Sequence, residues 1–222
     1  MTVREYFKQH GLATAMFGIF FVAIVAMSLS GWMSENEEKQ EHSAAQIPYG
    51  EYVTSGHFVE AVFENWESEF LQMWALVILT VFLYQKGSAD SKPLKGGAPQ
   101  DTTSRLSIIH ARSWRQRKKA IGHAVYAHSL GLALLALFLG SFILHALGGA
   151  EAYNDEARQH GQATVSVAEY MITPRFWFES FQNWQSEFLA VGVLIILSIY
   201  LRERGSQQSK PVGKHYNDQT GD

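Results

Sequence analysis

Apolar residues along this chain gather into four runs, separated by strongly polar segments. Residues 12–29 give 18 positions without a charge, and residues 129–147 give 19 with His145 as the one ionisable group. At a rise of about 1.5 Å per residue, each run nearly crosses a hydrocarbon core of roughly 30 Å as a helix. Residues 70–83 and 188–201 are apolar over 14 positions each. Runs of that length are short for a span, and they are expected to extend N-terminally through the aromatic stretches at 58–66 and 176–184. The pattern predicts four transmembrane helices, at about 12–29, 66–84, 129–147 and 184–201.

The charges between the runs alternate in sign, which assigns the sides. Segment 30–69 holds nine acidic residues and one basic, Lys39, whereas segment 84–128 holds nine basic and two acidic. Segment 148–187 is acidic again, so 15 of the 18 basic residues fall at the N-terminus, in the central loop or in the tail. Lys and Arg near span ends are retained in the cytoplasm. Both termini and the central loop are therefore expected inside, with the acidic loops outside. Arg4, Lys8, the first apolar run and Ser28-Leu29-Ser30 also resemble a cleaved signal peptide. A retained span is preferred, because the third run is its internal counterpart and cannot be a signal.

That counterpart belongs to a duplication. With an offset of 118, residues 63–94 and 181–212 are identical at 16 of 32 positions without a gap. Asn65-Trp66-Glu67-Ser68-Glu69-Phe70-Leu71 aligns with Asn183-Trp184-Gln185-Ser186-Glu187-Phe188-Leu189, and Gly87-Ser88 with Ser91-Lys92-Pro93 recurs as Gly205-Ser206 with Ser209-Lys210-Pro211. The same offset pairs Asn36, Glu38, His42, Glu51 and Tyr52 with Asn154, Glu156, His160, Glu169 and Tyr170. Each repeat contains two spans, so both enter the membrane from the same side, as a parallel repeat. The expected organisation is a first repeat over 1–86, a Gly/Ser/Pro/Lys-rich flexible linker over 87–104, a basic juxtamembrane helix over 105–128, a second repeat over 129–204, and a disordered tail over 205–222. The basic helix reads more simply as topology-setting charge than as a lipid-binding element.

Composition then excludes more than it adds. With no cysteine, a disulfide framework, a thiolate metal site and a cysteine nucleophile are all ruled out. A formal charge of −3 offers no basis for nucleic-acid binding. No nucleophile elbow, phosphate loop or dinucleotide fingerprint is present, so catalysis and a cofactor are not expected. The acidic outer loops, with His42 and His160, match no compact metal motif and read as solvated surface.

The repeated Asn-Trp-x-Ser-Glu-Phe-Leu element carries what candidate chemistry there is. On a helix, Asn65, Ser68 and Glu69 share a face, as do Asn183, Ser186 and Glu187. A polar stripe entering a span is expected to turn toward the helix bundle, since lipid cannot satisfy it. Pseudo-symmetry would bring Glu69 and Glu187 together near the axis, as an ion or proton site. Interhelical hydrogen bonding explains the same residues, and Trp66, Trp74 and Trp184 read as interfacial anchors. His145, expected near the depth of Glu187, is a candidate proton partner or a simply hydrogen-bonded histidine.

With its trailing Gly-Ser-x-x-Ser-Lys-Pro, this element resembles an uncharacterised bacterial membrane-protein family, a domain of unknown function. The resemblance extends over nearly the whole chain, through Ser55-Gly56-His57-Phe58, Ala152-Tyr153-Asn154 and Pro174-Arg175-Phe176-Trp177-Phe178-Glu179-Ser180. It implies a multi-pass bacterial membrane protein and supplies no activity, cofactor or site; the expected location is the bacterial cytoplasmic membrane. The expected fold is an all-α four-helix membrane bundle made of two homologous hairpins. The expected function is a non-enzymatic structural or accessory module whose surroundings are the lipid bilayer and whose protein partner is unknown. A small ion- or proton-coupled permeation protein using Glu69 and Glu187 is the alternative. Four spans make a thin wall, so that version calls for a homodimer.

Overall fold

The computed structural model describes residues 2–42, 44–94, 98, 101 and 114–215, and the side chains of 114–120 are not described. Among the described residues there are seven α-helices and no strand: α1 (Val3–Glu41), α2 (Tyr49–Tyr52), α3 (Gly56–Phe82), α4 (Trp114–Ala127), α5 (Ser129–Gln159), α6 (Val167–Tyr170) and α7 (Pro174–Tyr200). Of the segment expected to form a basic helix, residues 114–127 are helical, while 105–113 lie outside the described residues. Residues 95–97, 99–100 and 102–104 of the linker and 216–222 of the tail also lie outside them.

Three helices, α1, α5 and α7, are long and apolar enough to cross a membrane. At 39 residues α1 reaches roughly 58 Å, about twice a hydrocarbon thickness. Its apolar run is flanked by polar turns at both ends. Leu12, Phe17, Ile19, Phe21, Val22 and Val25 on α1 are exposed. An apolar surface of that extent is a liability in water and matches lipid. These helices mark the chain as a membrane protein. Helix α3 equals α7 at 27 residues, but Glu60, Glu64, Glu67, Glu69 and Gln72 lower its apolar character, and it is not among the three.

Local chemistry sets the helix starts. Thr2 caps α1 in a reciprocal box, with its hydroxyl accepting from Glu5 N at 3.3 Å and Glu5 Oε2 accepting from Thr2 N at 2.7 Å. Thr173 caps α7, and Pro174 occupies the first helical turn, where its missing N–H costs nothing. Both α3 and α7 are continuous through the aromatic stretches that precede their apolar runs.

The chain divides into two compact units, residues 1–62 with 144–172, and residues 63–143 with 173–222. In the first unit, small residues permit close backbone approach. A Cβ at Gly56 would fall 2.7 Å from Ala152 N, and one at Gly148 would fall 2.6 Å from Glu60 N. Gly31 faces the ring of Tyr52, and Gly149 faces that of Tyr170. Tyr170, Ala152 and His145 are fully buried there. In the second unit, an aromatic cluster forms the packing centre: Phe142 stacks edge-on against Phe176 at 5.3 Å, and Trp184 against Phe181 at 5.4 Å.

Several contacts recur 118 residues apart. In the first unit the Asn36 amide bonds both backbone groups of Ile47, and the Asn154 amide does the same for Val165. In the second unit Ser91 Oγ accepts from Gln85 N at 2.8 Å, and Ser209 Oγ accepts from Glu203 N at 2.9 Å. Gly87 and Gly205 both turn through positive φ, at 85° and 88°.

Candidate functional site

Within the second unit, the polar faces of α3 and α7 meet through direct hydrogen bonds. Trp184 Nε1–H donates to Glu67 Oε1 at 2.8 Å, and Glu67 is fully buried. One turn earlier, Asn183 Nδ2–H donates to Glu64 Oε1 at 3.2 Å and to its own helix at Glu179 O. The Ser68 and Ser186 hydroxyls turn back onto the carbonyls of Asn65 and Asn183, at 2.8 Å each. That back-bonding satisfies each hydroxyl locally in an apolar setting. Ser68 is buried, whereas Asn65, Glu69 and Ser186 are exposed and Glu187 is half-buried. Glu69 and Glu187 lie within electrostatic range of one another.

The expected stripe is thus distributed over different surroundings. Helix α3 buries Glu67 and Ser68, consecutive residues, rather than Glu69. The three expected anchors also differ. Trp184 is bonded to Glu67 and packed on Phe138, Trp177 and Phe181. Trp66 stacks along its own helix on Phe63 and Phe70, and Trp74 is half-buried.

The first unit holds a second polar cluster, which the motif did not indicate. His145 is fully buried, and its ring nitrogen lies within 4.8 Å of a carboxylate oxygen of Glu60, itself 8% exposed. The Tyr170 hydroxyl donates to Glu60 Oε1 at 3.1 Å. A buried imidazole beside a hydrogen-bonded carboxylate can share a proton, or offer two ligands to a divalent ion. His145 is a candidate from its place in the third apolar run, with Glu187 rather than Glu60 as its expected partner. Reasoning from residues common to both repeats passes over Glu60 and Glu67, because Phe178 and Gln185 stand at the matching positions. The available signal was those mismatches: a carboxylate present once, where the other repeat has a neutral residue.

Outside the long helices, ionisable groups serve local structure. The Ser166 backbone N–H holds the Glu169 carboxyl below the usual carboxylate range, completing the cap of α6. Lys92 bonds Asp101 at 2.5 Å and lowers its carboxyl likewise. Burial raises the Tyr52 phenol above its ordinary value, and the charge of Glu35 adds to this.

No curated protein and no solved structure matches the chain. A family model does match, over residues 3–222, and by that coverage the chain belongs to the family described as a domain of unknown function, DUF6766.

Proposed function

We propose that this protein is a non-enzymatic structural or accessory module of a bacterial cytoplasmic membrane, built from two duplicated two-span hairpins with both termini inside. The observation that carries this reading is the Trp184 to Glu67 hydrogen bond, which spends a fully buried carboxylate on fastening α7 to α3. The Asn183 to Glu64 bond beside it supports the same use. In an apolar environment, polar side chains between helices act as fasteners. The duplication is supported by the contacts that recur at the offset of 118. As the fourth span, α3 is supported by its match to α7 in length and by exposed Met73, Leu79, Val81 and Phe82.

Fastening predicts a graded effect on stability without an effect on flux. Glu67→Gln keeps an acceptor for the Trp184 N–H and is expected to be mild. Glu67→Leu strands that donor and should cost about 1–3 kcal/mol, read as detergent-solubilised melting. Flux of protons and cations in proteoliposomes should be unchanged by either. A second reading, permeation through a homodimer, draws on the electrostatic proximity of Glu69 and Glu187. It requires flux in the natural protein that falls in Glu69→Gln with Glu187→Gln while the melting midpoint holds. That result would displace the fastening reading.

A further inference from the structure

The second unit contains a cavity of about 340 Å³ between the C-terminal halves of α3 and α7. Its wall is mostly apolar, with Leu76, Leu79 and Leu83 beside Gln72 and Thr80 on one side and Val191 and Ile195 on the other. The segment after α3 lines its other end with polar groups, among them Tyr84, Gln85 and Asp90. The volume lies at the lower end of the range for small-ligand sites, which also favour gaps between helices. Gly192 lines the wall, and a Cβ added there would meet no atom within 4 Å, so the space is open to its backbone.

We propose that this cavity holds an acyl chain of an aminophospholipid, with the ammonium head on Asp90. An apolar slot with polar groups at the end of a membrane helix has the polarity order of a lipid, chain then head. The head is chosen by charge. The Asp90 backbone N–H is tied to Ser88 Oγ at 3.2 Å, whereas its carboxylate meets no cation among the described residues. Lys92, two residues on, is already committed to Asp101 and to Val81 O. The Tyr84 hydroxyl and the Gln85 amide have no partner among the described residues and supply donors for the phosphate. Asp90 is exposed overall, and partial desolvation of its carboxyl raises it above the ordinary range, a cost that a bound ammonium would offset. The second repeat has Gln208 in place of Asp90 and Arg202 in place of Tyr84. The site is thus particular to the first.

The test is native mass spectrometry of the full chain released from detergent, with phosphatidylethanolamine, phosphatidylcholine or phosphatidylglycerol added in turn. Phosphatidylethanolamine should be retained best, because it alone offers N–H donors on a cation. Asp90→Asn should weaken its retention by about tenfold or more, the scale of a charged hydrogen bond, and erase the preference over phosphatidylglycerol. Gly192→Leu fills the slot and should remove retention of all three. Asp90→Asn is a surface change that leaves the helices intact, so it tests the proposal even where Gly192→Leu lowers the melting midpoint. Equal retention of the three lipids by the natural protein overturns the assignment, as does an unchanged preference in Asp90→Asn. Dodecylamine retained as tightly as phosphatidylethanolamine would reassign the polar end to free amines and also overturn it. The inference rests on the membrane reading, whose own failure would show separately, as protein released from membranes by alkaline carbonate.

Discussion

Gly31 and Gly149 stand 118 positions apart, and each lies against a tyrosine ring. A Cβ at Gly149 would fall 2.5 Å from the Tyr170 hydroxyl and 2.7 Å from its ring. That ring is fully buried and holds Glu60 through its hydroxyl, so it cannot swing aside without breaking a buried bond. Gly149→Ala should therefore destabilise by about 1–3 kcal/mol, as overpacking does. Gly140→Ala, where nothing lies within 4 Å, should instead be neutral or gain up to about 1 kcal/mol of helix propensity. Melting of the two variants side by side separates a packing requirement from a general cost of replacing glycine. Tyr52 adds a pH dependence. Its folded-state pKa is raised by burial and by Glu35, so the neutral phenol stabilises the fold below the ordinary tyrosine value and that contribution is lost as pH rises through the folded value. As pH rises above about 10, the natural protein should lose melting temperature faster than Tyr52→Phe does. Parallel curves would show that Tyr52 does not couple folding to pH.

The helix–loop–helix elements depend on single amides that act as a second backbone. Asn36 Oδ1 accepts from Ile47 N at 2.8 Å, and its Nδ2–H donates to Ile47 O at 3.1 Å, a pairing that a strand neighbour would otherwise provide. Asn154 repeats it on Val165 at 2.7 and 2.8 Å. Asn154→Ala should cost about 1–3 kcal/mol. Asn154→Asp keeps the acceptor but sets an oxygen against Val165 O, so it should rescue only part of the loss. Equal melting of all three proteins would mean that the loop is held elsewhere. These elements also show what the sequence could tell. The apolar runs and aromatic stretches made the long helices legible, because their length and period follow from burial and backbone satisfaction. The offset of 118 singled out Asn36 and Asn154, although their role as latches depends on a turn geometry that spacing does not encode. Glu67 was illegible for a different reason, an uncertainty of half a turn in which face is buried. It neighbours Glu69 by two positions and differs from it by about 200° around the helix, so a half-turn error in the buried face exchanges the two.

At the scale of the whole molecule, the number of crossings decides which surfaces face which compartment, and the absence of cysteine makes that directly measurable. Single cysteines can be placed at exposed positions: Gln40→Cys in the last turn of α1, Lys86→Cys after α3, Gln162→Cys after α5 and Val212→Cys after α7. If α1, α3, α5 and α7 all cross with the N-terminus inside, a membrane-impermeant maleimide should label positions 40 and 162 in intact cells. Positions 86 and 212 should label only after permeabilisation. If α3 does not cross, position 86 stays with position 40 outside, 162 moves inside, and 212 becomes accessible again. The two outcomes differ at three of the four sites, so no single unreactive thiol can confuse them. Charge favours the first. A three-span arrangement would carry the nine basic residues of segment 84–128 to the outer face, against the retention of Lys and Arg that governs short loops. It would also leave α3 to bury Glu67 against a crossing α7 without crossing itself, although the exposed Leu79, Val81 and Phe82 at its end need lipid.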